Sequence, residues 1–65
     1  MNVVINGEPQ NIDEETLFQL CKRYNDHPDF IATAVNGEFV TVKERAECRL
    51  KEGDKIEILS PRQGG

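Results

Sequence analysis

Few side chains in this 65-residue chain have the types and spacing to do chemistry. His27 stands alone between Asp26 and Pro28, with no Ser or Cys near enough in sequence to form a nucleophile and base pair, and reads as a solvated loop histidine. Asp13, Glu14 and Glu15 lack the loop spacing and glycine of a calcium site, so they read as charges complementing the start of a helix. Cys21 and Cys48 are too far apart for a CxxC pair, and with one histidine they cannot assemble a four-ligand zinc site; they read as small buried hydrophobes or idle thiols. No metal site is expected. Gly7, Gly37 and Gly53 suit turns, and neither GxxxxGK[ST] nor GxGxxG occurs.

That leaves Gly64-Gly65, a pair that chance places at a chain end roughly 0.5% of the time. A free carboxylate at Gly65 is unreactive toward nucleophiles until it is joined to the α-phosphate of ATP. The resulting acyl-adenylate can lose AMP to sulfur, an amine or a thiol. Glycine suits this role because, without a Cβ, it passes a narrow channel and takes backbone angles closed to other residues. MgATP and catalytic groups would come from a partner, with no cofactor bound by this chain. The six residues from Ser60 to Gly65 reach about 20 Å when extended, enough to enter a partner's site.

Such a tail needs a scaffold, and the chain is long enough for one small domain. Leu, Ile, Val and Phe make up 26% of residues, above the roughly 20% below which disorder is the default. No apolar run approaches the length of a membrane span, and Met1 to Ile5 lacks a signal peptide's basic region, so a cytoplasmic location without membrane attachment is expected. The net charge is −4. Arg45, Arg49 and Lys51 alternate with Glu44, Glu47 and Glu52 without an interleaved aromatic. This reads as a solvated face of mixed sign, and nucleic acid is excluded as a partner.

Val3-Val4-Ile5, Asn6-Gly7 and the run from Glu8 to Ile12 predict a first β-hairpin with a type I′ turn, because Asn-Gly tolerates two successive positive φ angles. Pro9 cannot donate a ladder hydrogen bond and places the second strand at a sheet edge. Asp13-Glu14-Glu15-Thr16 opens a helix, with Gln19 completing a capping box. Leu17, Leu20, Cys21 and Tyr24 form its buried stripe. Lys22 and Arg23 suit its carboxyl end, and Asn25-Asp26-His27-Pro28 stops it.

A second hairpin is expected from Ile31 to Val35 and Phe39 to Val42 around Asn36-Gly37. Residues 43–50 read as irregular. In the last strand, Ile56 and Ile58 face inward while Lys55, Glu57 and Leu59 face out. Beyond it, 61–65 form a flexible tail on a domain of residues 1–60. Hairpin, helix, hairpin and strand fit an α+β domain: a mixed four- to five-stranded sheet covered on one face by one helix. This is the β-grasp, or ubiquitin-like, arrangement, in which the first and last strands are parallel neighbours mid-sheet.

Ala34-Val35-Asn36-Gly37-Glu38-Phe39-Val40, the segment from Leu50 to Leu59 and the terminal Gly64-Gly65 together resemble the ThiS sulfur carriers of thiamine biosynthesis, over essentially the whole chain. The resemblance implies that a ThiF-like adenylyltransferase uses MgATP to activate the Gly65 carboxylate. Sulfur then replaces AMP to give a thiocarboxylate, and a ThiG-like thiazole synthase receives that sulfur. The chain would thus be a co-substrate and not an enzyme. By the same resemblance, Leu59, Pro61, Arg62, Gln63 and Gly64 contact the partners, with Val4 on the same sheet face. A carrier for molybdopterin or another sulfur-containing metabolite and a ubiquitin-like interaction module are the alternatives.

Overall fold

The computed structural model describes residues 1–24 and 30–60. The helix-stop segment with His27, and the tail residues Pro61, Arg62, Gln63, Gly64 and Gly65, lie outside the described residues. Strands β1 (Asn2–Ile5) and β2 (Glu8–Asn11) precede helix α1 (Leu17–Tyr24). Strands β3 (Ala32–Val35) and β4 (Glu38–Val40) follow, then a 3₁₀ helix (Val42–Glu47) and strand β5 (Lys55–Leu59).

The two hairpins form for the reason their sequences give. Asn6 and Gly7 have φ of 51° and 84°, and Asn36 and Gly37 have 54° and 84°. These are the left-handed angles that a type I′ turn demands and that Asn and Gly tolerate. The five strands lie in the order β2-β1-β5-β3-β4. β1 and β5 are parallel, with Val4 opposite Lys55 and Ile5 opposite Ile56. β3 runs antiparallel to β5, with Ala32 opposite Leu59 and Val35 opposite Ile56. Pro9 sits in edge strand β2, where its missing N–H breaks no ladder. This is the β-grasp order, with five strands.

One sheet face carries the core. Val3 and Ile5 from β1, Val40 from β4 and Ile56 and Ile58 from β5 meet Leu17, Leu20 and Cys21 of α1, with Ile12, Ile31 and Leu50 filling the margins. The helix buries its 17, 20, 21 stripe, but Tyr24, expected to continue it, is exposed at the last turn. Its start is capped reciprocally: Thr16 Oγ1 accepts the Gln19 N–H at 3.2 Å, and Gln19 Oε1 accepts the Glu15 N–H at 2.9 Å. The return bond thus falls one residue earlier than in the usual box. The acids precede the helix rather than occupying its first turn. Glu14 pairs with Arg23 at 2.9 Å, and Glu15 lies 3.8 Å from Arg49 at the surface.

Residues 43–50, irregular by sequence, are ordered by two devices. The Thr41 N–H donates to Glu44 Oε1 at 3.0 Å at the start of the 3₁₀ helix. Further on, the Leu17 N–H donates to the Cys48 carbonyl and the Leu50 N–H to the Glu15 carbonyl, each at 2.9 Å, flanking a Thr16–Arg49 bridge. The second hairpin is correspondingly shorter than expected: Ile31 lies just outside β3, and β4 ends at Val40 before the chain enters the 3₁₀ helix.

The mixed-charge face also needs correction. Arg45 is only 1% exposed. Its Nε donates to Thr33 Oγ1 at 3.2 Å and its Nη2 to the Ile31 carbonyl, while Thr33 Oγ1 donates to the Val40 carbonyl at 2.9 Å. A single guanidinium therefore ties the 3₁₀ helix to β3, and through Thr33 to β4. The buried hydrogen bonds offset part of the cost of removing its charge from water.

Candidate docking face and tail root

The sheet face away from α1 has no layer over it among the described residues. Alternation along β5 sends Lys55, Glu57 and Leu59 to this side, and the cross-strand register adds Ala32, Ala34 and Phe39. Leu59 is 65% exposed and Phe39 67% exposed. Together with Ala32, Thr33, Ala34 and Glu57 they line a shallow dimple of about 80 Å³. Two alanines between two large apolar side chains create the depression, because a methyl group cannot fill the space a longer residue would occupy.

Val4 faces the same side but not the same dimple. It lines a separate depression of about 290 Å³ with Gly7, Asn36, Gly37, Lys55, Ile56 and Glu57. The face expected from Leu59 and Val4 thus has two parts, and Phe39 is the member that sequence reasoning missed. Its signal was available: if Val40 points inward, period-two alternation sends Phe39 outward.

The root of the tail is tightly held. Leu59 is paired with Ala32, and one position earlier Ile58 is bonded through its own N–H and C=O to the side chain of Asn6. At the opposite end of the strand, Asp54 is buried, its Oδ2 accepting the Lys51 N–H at 2.8 Å and its Oδ1 accepting from Asn36 Nδ2 at 3.0 Å. The carboxylate closes the turn before β5 and is occupied in doing so.

The thiols are poor candidates for chemistry. Both cysteines are free, Cys21 buried and Cys48 half-buried. Burial is the main cause that pushes Cys21 above its usual 9.0; nearby Arg45 opposes it and Cys48 adds to it. Burial likewise pushes Cys48 up, reinforced by Asp54 and Glu44 and opposed by Lys51. Neither supplies much thiolate near neutrality. Cys48 lines an open groove of about 510 Å³ with Glu38, Glu44, Glu47, Arg49, Lys51 and Asp54 among its walls. No group of three or more potential metal ligands occurs among the described residues. No helix among them is long and apolar enough to cross a membrane.

The apolar face therefore adjoins a central strand that leads directly to the glycine pair. The ThiS family model matches residues 3–65. The chain belongs to the ThiS family. Membership covers the scaffold and the tail together, since the match runs through both glycines.

Solved structures agree with this placement. A crystal structure of a thiamine biosynthesis protein (ThiS) from Geobacter metallireducens superposes with a TM-score of 0.80 at 26% identity, covering 100% of both chains. An NMR solution structure of a thiamine biosynthesis protein from the same organism gives a TM-score of 0.77 at 24% identity, over 91% of this chain and 81% of that one. The latter shows the shared fold. No curated protein sequence matches significantly.

Proposed function

We propose that this chain is a sulfur carrier serving thiamine biosynthesis, acting through the carboxylate of Gly65. A ThiF-like partner supplies MgATP; a carboxylate oxygen attacks the α-phosphorus, the new C–O–P linkage forms and pyrophosphate leaves. A sulfur nucleophile then attacks the acyl carbon, AMP departs, and the product is a thiocarboxylate whose sulfur passes to a ThiG-like thiazole synthase. The chain is a co-substrate in this cycle, and the partners provide the catalytic groups and bind the nucleotide. Gly64, Gln63, Arg62 and Pro61 enter the partner's site. The dimple of Leu59, Phe39, Ala32 and Ala34 docks against the partner, with Val4 at the margin of that contact.

The observation that carries this reading is the ThiS family match through residue 65, supported by a scaffold that places an exposed leucine at the root of that segment. The test is the intact mass of the protein after incubation with MgATP, a ThiF-like enzyme and a sulfide source. A gain equal to sulfur replacing oxygen, located on the C-terminal peptide and missing from a chain lacking Gly65, is expected. An unchanged mass with an activating enzyme shown to be competent on another carrier rejects the proposal.

A further inference from the structure

The two Asn-Gly turns share a backbone, and each asparagine has a second task in β5. β1 pairs with β5 at Val4 and Ile5, and then the chain turns away. The Asn6 N–H still reaches the Ile56 carbonyl at 2.9 Å. The next ladder position on this side of β5 is Ile58, which β1 has no backbone left to meet. Asn6 meets it with its side chain: Nδ2 donates to the Ile58 carbonyl at 3.1 Å and Oδ1 accepts the Ile58 N–H at 2.9 Å. A carboxamide carries one acceptor and a donor in a plane, as a peptide does, so it extends the sheet by one position without main chain.

Asn36 holds the other end of the strand. Its N–H donates to the Lys55 carbonyl at 2.7 Å, its Oδ1 accepts the Lys55 N–H at 3.0 Å, and its Nδ2 reaches Asp54. The turns are thus alike in conformation and bond type, and opposite in position. Asn36 fastens the start of β5, whereas Asn6 fastens the end that leads into the tail.

We propose that Asn6 is a positioning residue for activation of the Gly65 carboxylate: by pairing with Ile58 it fixes the point from which the tail leaves the sheet. The inference rests on the sulfur-carrier reading above. Only residues 61–65 separate Ser60 from the reacting carboxylate, a span of at most about 17 Å. A tether so short has little slack to absorb a wandering origin. Once the carrier has docked, delivery of the carboxylate is intramolecular, and its effective concentration falls when the origin moves. Release of Ile58 on the β1 side leaves Leu59 held only by Ala32 of β3. Docking survives this change, but the aim of the tail does not.

The test compares Asn6→Gly with Asn36→Gly. Glycine keeps the positive φ both turns require and removes only the carboxamide. Three measurements are made on both variants: the thermal midpoint and the amide exchange at Ile58 in the free carrier, and carrier-dependent ATP–pyrophosphate exchange catalysed by a ThiF-like enzyme with MgATP. For Asn6→Gly, Ile58 exchange is expected to accelerate about tenfold, and kcat to fall about tenfold with the carrier's KM within about twofold. Asn36→Gly is expected to lower the thermal midpoint comparably while leaving kcat within about twofold.

Equal loss of kcat in both variants, or parental kcat in Asn6→Gly despite faster Ile58 exchange, overturns the proposal. If Asn6→Gly does not fold, Asn6→Asp replaces it, since it keeps the acceptor for the Ile58 N–H but loses the donor to the carbonyl; kcat and Ile58 exchange indistinguishable from the parent then overturn it. A chain lacking Gly65 separates the two readings. If that chain supports exchange as well as the full chain, the sulfur-carrier reading fails, whereas unaccelerated Ile58 exchange in Asn6→Gly refutes the clamp whatever the partner does.

Discussion

Ile58 and Leu59 are adjacent in β5, similar in size and apolarity, and opposite in fate: Ile58 is 8% exposed beneath α1, whereas Leu59 is 65% exposed on the far side. The difference is one step of strand alternation. The inner face is a closed structure in which helix, 3₁₀ segment and sheet fill one another's gaps. On the outer face, leucine and phenylalanine flank alanines and the depression remains open. A sheet that needed only stability would gain little from large apolar side chains held in water. Stability and the proposed docking thus lie on opposite sides of one strand, and substitutions should separate them.

The largest effect is expected from Ile58→Ala, which removes buried methyl groups and leaves a cavity: chemical denaturation should show a loss of about 2–5 kcal/mol. Arg45→Ala should follow at about 3 kcal/mol, because the Ile31 carbonyl and Thr33 hydroxyl lose a buried donor. If Arg45→Ala is neutral in the same assay, the closed inner face does not depend on its polar tie.

Leu59→Ala should change stability by less than about 0.5 kcal/mol while raising the carrier's KM for a ThiF-like partner roughly tenfold. A loss of stability as large as that of Ile58→Ala, with KM unmoved, would erase the distinction between the faces. The smallest effect concerns the thiols. Burial raises the Cys21 thiol above 9.0 in the native state, so the folded chain keeps a proton that the unfolded chain releases above that pH. Its contribution is complete below pH 9.0 and is lost as pH rises further. Urea titrations at about pH 8 and about pH 10 should show a shallower decline for Cys21→Ala than for the parent.

What the sequence disclosed followed from local rules. Asn-Gly specified both turns, Thr16 and Gln19 the helix start, Pro9 an edge, and alternation from Lys55 to Leu59 the two faces of the central strand. Arg45 was hidden because nothing local distinguishes it from Arg49 or Lys51: all three alternate with glutamates, and only the arrival of Thr33 and the Ile31 carbonyl from another part of the chain makes one of them a buried donor. The pairing of residues 48–50 with 15–17 is equally non-local. The dimple was half legible, since Leu59 was found and Phe39 was not. The second task of Asn6 was concealed by the first, because a turn already accounted for the residue type.

The order of strands also bears on how the molecule is made. β5 occupies the middle of the sheet, yet it is the last strand to be synthesised. The two hairpins are short-range structures that can form early, but isolated hairpins are marginal in water, and β1 and β3 touch the same absent neighbour rather than each other. A nascent chain ending before Lys55 therefore holds two hairpins with no strand to join them into one sheet, although the pairing of 15–17 with 48–50 already links the two halves. Completion of the sheet therefore waits for the strand that carries the tail: the segment leading to the glycine pair is also the one that joins the two hairpins and adds Ile56 and Ile58 to the core.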